Sequence, residues 1–149
     1  MGIALLCFAT AVRNLLRSGE AGEGTYSSIA YAGWVVVVAG LSQMVTWNWG
    51  LFNGAADAGD DAALRALSYV SYFAWAGIGI GLATAFIATG LGGVRNAVLP
   101  RWFAILTVVM GALAALGDAG IPPGGLVNYL GLPFWLIGAS VMVARSRTR

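Results

Sequence analysis

The chain has 149 residues, of which 59% are hydrophobic and only 9% charged, with a net charge of +2. Soluble domains carry about a quarter charged residues, and water does not tolerate so apolar a surface, so a soluble globular domain is excluded. His is absent and Cys7 is the single cysteine, which removes the commonest metal ligand and proton shuttle, any intramolecular disulfide and any thiolate metal cluster.

Five apolar segments follow in chain order, at 1–16, 27–47, 66–91, 101–117 and 126–144. A spanning helix needs about 20 apolar residues, and all but the first reach or approach that length. This pattern predicts an all-α integral membrane bundle, one domain of five transmembrane helices. The first segment leaves an alternative of four spans plus a short N-terminal interfacial helix. Sixteen helical residues rise about 24 Å, against a hydrocarbon core of about 30 Å. No Lys or Arg precedes this segment, so it reads as an anchor inserted N-terminus outward rather than a cleavable signal. Cys7 within it reads as a small hydrophobe.

The connections alternate in charge. The first, at 17–25, holds Gly19, Gly22 and Gly24 with Glu20 and Glu23, a polar flexible turn. The second, at 48–62, is the longest, and Asp60 or Asp61 can cap the helix after it. The third, at 92–100, ends in Pro100, suited to a helix start. The fourth, Ile-Pro-Pro-Gly-Gly at 121–125, is a helix stop and tight reversal. Arg13 and Arg17, then Arg95 and Arg101, then Arg145, Arg147 and Arg149 occupy alternate gaps. Asp57, Asp60, Asp61 and Asp118 occupy the others, and Arg65 alone breaks the pattern. Cytoplasmic loops retain positive charge, so the expectation is a multi-pass plasma-membrane protein with its N-terminus outside and C-terminus in the cytoplasm. Those arginines meet lipid headgroups and do not form a nucleic-acid patch. Absent Lys and abundant Ala, Gly and Arg point to a GC-rich bacterial source.

Aromatic residues fit the same orientation. Trp47, Trp49, Phe52, Tyr69, Tyr72 and Tyr129 gather towards the outer surface, and Tyr26, Tyr31, Trp34 and Trp102 towards the inner. Trp75 and Trp135 fall nearer mid-membrane, where packing between helices is expected. Gly77, Gly81, Ala85, Ala88 and Gly92 recur every three or four residues, a smooth stripe that lets another helix approach closely and places the third helix at the centre. Similar faces are Gly33–Gly40, Gly111–Ala115 and Gly131–Gly138. Such faces serve internal packing or association with another chain.

Two residues stand out chemically. Asp118 opposes the helix dipole at the end of the fourth segment and needs compensation, with Arg65 the nearest candidate. Gln43 shares a face with Thr46 and Trp47. With Tyr72, Gln43, Trp47 and Asp118 could line a small outward pocket, or simply make interhelical bonds and an interfacial ion pair. The Asp57, Asp60 and Asp61 group lacks the alternating ligand spacing of a calcium loop. Gly77-Ile-Gly79-Ile-Gly81 follows no strand and is no dinucleotide fingerprint. No cofactor or metal site is expected. No nucleophile–base pair is visible, so no enzymatic activity is expected.

Gly92-Gly93-Val94-Arg95 followed by Leu99-Pro100-Arg101-Trp102 and an apolar helix with Gly111 resembles a hairpin of uncharacterised, largely actinobacterial multi-spanning proteins of a domain-of-unknown-function type. The resemblance implies a helical membrane bundle and no assigned activity. The expected role is an accessory or structural subunit that assembles with itself or a larger complex through its small-residue faces. The alternative is a transporter or sensor of a small apolar molecule that uses the outward pocket.

Overall fold

The computed structural model describes residues 2–121 and 124–146; for Tyr72, residues 124–129 and Ser146 only the backbone is described. The described chain is all-helical, with five helical rods and no strand. They are α1 (Gly2–Gly19), α2 (Thr25–Ala58), α3 (Asp61–Arg95), α4 (Arg101–Asp118) and α5 (Gly124–Ser146). α2, α3 and α4 are long and apolar enough to cross a membrane, and Leu130–Arg145 is a shorter apolar stretch.

The connection expected at 48–62 is mostly helix. α2 runs through a π turn at Leu51–Ala55 and ends at Ala58. Gly59 reverses the chain at φ 64°, a conformation that costs other L-residues about 1–2 kcal/mol. Asp60 then caps α3, accepting from the Ala62 and Ala63 amides at 3.0 and 3.1 Å. The polar residues here suggest a loop, but there is no Pro, and Ala and Leu between them sustain the helix. α3 has one irregularity, at Ala74.

At the opposite end, Glu20 closes the turn between α1 and α2. Its carboxylate accepts from the Ser27 amide at 3.0 Å and from Ser27 Oγ at 2.7 Å, which satisfies groups that a helix start leaves unbonded.

α3 is the central helix, packed against α2 on one side and α4 on the other. Its closest approaches are through glycine. A Cβ on Gly33 would lie 2.5 Å from the Ala85 amide nitrogen, and one on Gly81 would lie 2.7 Å from that of Val37. On the α4 side, a Cβ on Gly90 would meet the Ala104 carbonyl at 2.7 Å, and one on Gly111 the Ile87 amide nitrogen at 2.9 Å. Between the helices lies an aromatic core. The Trp34 and Trp135 ring centres are 5.7 Å apart, and Phe86 sits 4.6 Å from Trp135. Trp135 Nε1 donates to Thr107 Oγ1 at 2.8 Å. Trp34, expected at the inner surface, is fully buried in this core. Trp75, expected between helices, is exposed.

Candidate functional site

The four residues expected to form one pocket are not gathered. Gln43 is exposed and Trp47 half-buried on α2. Asp118 lies on the other side of α3, its carboxylate against Gly79. The Tyr72 side chain lies outside the described residues. Asp118 Oδ2 is buried with no hydrogen-bond partner among the described residues. The expected pairing with Arg65 fails on length. α3 begins at Asp61, and Arg65 is 14 residues from Gly79, about 20 Å along the helix axis.

The expected packing stripe meets α1 and α2 over most of its length. Gly81, Ala85, Ala88 and Gly92 are buried, and a Cβ on Gly92 would press on Tyr26. Gly77 is different. It is exposed, with nothing within 4 Å of the space a Cβ would take. A second face, missed in the sequence, carries Gly79 and Gly90 with Phe86 and Ile87 between them, and packs on α4. On the other helices, a Cβ on Gly40 would meet Ile78, one on Gly131 the Met110 side chain, and one on Gly138 Phe103. These small residues therefore serve packing within the chain.

The described arginines of the alternating pattern cluster at one end. Arg13 lies over the Tyr31 ring, 5.5 Å from its centre. Arg17 Nη1 donates to the Gly22 carbonyl at 2.5 Å and Arg95 Nη1 to Tyr26 Oη at 3.1 Å. Arg101 and Arg145 are exposed at the same end. Arg147 and Arg149 lie outside the described residues.

The opposite end carries the most distinctive geometry. Gly2 at the start of α1 packs against Val38, and Asp118 at the end of α4 packs against Gly79. Beyond these levels α2 and α3 continue as a paired helical hairpin, from Val38 to Ala58 on one arm and from Gly79 back to Asp61 on the other, about 27–30 Å. Ser71 Oγ donates to Asn48 Oδ1 across the pair at 3.3 Å. The hairpin is unusually apolar for an unaccompanied projection. Trp49, Phe52, Tyr69 and Phe73 are each about two-thirds exposed. Between its arms lies an open groove of about 820 Å³, walled by Leu51, Phe52, Leu64, Tyr69 and Phe73, with Ala56, Ser68 and Arg65 also lining it. The π turn forms part of one wall; such turns recur at functional sites. The Arg65 side chain makes no hydrogen bond or ion pair with any described residue. A loop assignment for 48–62 hid this groove, because a groove needs both arms helical.

Among the described residues no three His, Cys, Asp or Glu side chains gather as a metal site. Asp60 is committed to its cap. No family model, no curated protein and no solved structure matches this chain.

Proposed function

We propose that this is a non-catalytic, multi-spanning membrane protein that acts by binding an apolar molecule at its hairpin end. In this reading the hairpin lies outside the cell and the arginine-rich end in the cytoplasm, as retention of positive charge favours. The observation that carries the proposal is the groove between two helices that outrun the rest of the bundle.

A hydrocarbon core of about 30 Å, measured from Tyr26 and Arg95, reaches about Thr46 on α2 and Trp75 on α3. Trp49, Phe52, Tyr69 and Phe73 then stand at the membrane–water interface, which amphipathic rings favour. The groove opens at that level, so an apolar molecule can pass into it from the outer leaflet without crossing water. The role is that of a sensor or carrier, with its site on the hairpin rather than at Gln43, Trp47, Tyr72 and Asp118. Nothing in the groove supports chemistry. Ser68 has no His to act as its base, since the chain contains none.

The accessory-subunit alternative is left with less surface, because the small-residue faces are filled by helices of the same chain. Of the expected stripe on α3, only Gly77 is left exposed for it.

A photoreactive phenylalanine placed at Tyr69, and separately at Ile105 on the exposed face of α4, tests the proposal in intact cells. The expected result is a discrete adduct from position 69 and only diffuse lipid labelling from position 105. Equally diffuse labelling from both would contradict it.

A further inference from the structure

We infer that the hairpin groove takes the chain of a long-chain carboxylate, with its carboxyl group on Arg65. This rests on the reading of the hairpin as the binding end and names the ligand class of that site.

The argument begins with the lining. The walls are apolar, and Arg65 is the one formally charged lining residue. Its guanidinium has no partner among the described residues, although Asp61 stands one turn away on the same helix. A planar guanidinium matches a carboxylate through two parallel hydrogen bonds. Apolar walls with one convergent cation complement an amphiphile with one anionic head. The volume of about 820 Å³ lies within the range of small-molecule sites, about 300–1,000 Å³.

Position selects a single-chain ligand over a resident phospholipid. Arg65 is ten residues beyond Trp75, about 15 Å farther from the bilayer centre. A two-chain lipid would have to lift both tails out of the bilayer to bring its head there. A single chain can lie along Phe73 and Tyr69, its end in the leaflet and its head at Arg65. Asp57, Asp60 and Asp61 at the hairpin tip act against the anion. Neutralising Asp61 should therefore tighten binding.

The test uses the full chain in nanodiscs of zwitterionic lipid, labelled with a photoreactive palmitate analogue and mapped by mass spectrometry. Labelling is expected on hairpin peptides and should saturate. Palmitate should compete about fivefold better than hexadecanol, the upper weight of an exposed charge pair. Arg65→Gln should weaken labelling by the same factor, Asp61→Asn should strengthen it, and Ala56→Trp should block the groove. Arg65 and Ala56 are exposed, so thermal unfolding of these variants should match the parent. Hexadecanol competing as well as palmitate, or labelling spread evenly over α4 and α5, would overturn the proposal. If position 69 still gives a discrete adduct of another kind, the ligand class falls and the binding end stands. If it gives none, both fall.

Discussion

Replacing Gly33 with Ala should break the closest helix contact in the molecule's centre. The added Cβ would lie 2.5 Å from the Ala85 amide nitrogen, 2.8 Å from the Gly81 carbonyl oxygen and 2.9 Å from Ala85 Cα. All three are backbone atoms, so no side-chain rotation relieves the clash. Ordinary contact begins at 3.4 Å, and α2 and α3 must separate locally by about 0.9 Å. A gap of that size forfeits roughly a quarter to a half of each contact of about 0.1–0.2 kcal/mol. Over about 50 atom pairs, the number a large buried side chain makes, the loss is about 2–3 kcal/mol, within the usual range for overpacking. Better helix propensity returns up to about 1 kcal/mol. Gly77→Ala keeps that propensity gain without the clash, because nothing lies within 4 Å of its added methyl. The two variants should therefore differ by about 2–3 kcal/mol, about 30- to 160-fold in the unfolding equilibrium. Reversible unfolding in mixed detergent–SDS micelles measures the difference. Equal stability of the two variants would refute the packing assigned to α2 and α3.

Three smaller effects follow from single residues. Ala97 holds a φ of 52° in the turn before α4, so Ala97→Gly should raise stability by about 1 kcal/mol in the same micelle assay. Asp60→Ala removes the cap of α3 and should cost about 1 kcal/mol. This should appear as faster amide exchange at Ala62 and Ala63, with exchange in the buried part of α3 unchanged. Trp135→Phe loses the bond to Thr107 and part of the ring packing on Phe86. It should lower stability by at least about 1 kcal/mol, whereas Trp102→Phe at an exposed position should change little.

The sequence reads well where hydrophobicity and helix length agree. α1, α4 and α5 appear as apolar runs bounded by arginine, Gly or Pro, and their ends in the structure lie within a few residues of those runs. An aspartate cap before the Ala-rich run was legible as Asp60 or Asp61, and the structure uses Asp60. The hairpin was not legible. Asn48, Asn53, Asp57 and Gly54 weaken the apolar signal, but helix formation needs only unbroken backbone, and the break comes at Gly59. Arg65 shows the consequence. With a loop at 48–62 it seemed to stand at the membrane surface near Asp118, whereas the long arm carries it well beyond that level. Gly81, Ala85, Ala88 and Gly92 stood out as a stripe because every member is small. The second face carries the bulky Phe86 and Ile87 between Gly79 and Gly90, so size alone did not mark it. Trp34 was misplaced for a related reason, since a ring near a segment end is interfacial only if no neighbouring helix covers it. Here Phe8, Phe86 and Trp135 do.

The placement of the hairpin outside the membrane is the claim on which the rest depends, and cysteine accessibility tests it most directly. In a Cys7→Ser background, Gly54→Cys marks the open side of the hairpin tip and Ser18→Cys marks the arginine-rich end. A charged, membrane-impermeant maleimide is expected to react with position 54 in intact cells and with position 18 only after permeabilisation. Protection of position 54 under both conditions would put the hairpin within the bilayer, and the reverse pattern would invert the topology; either result would contradict the account.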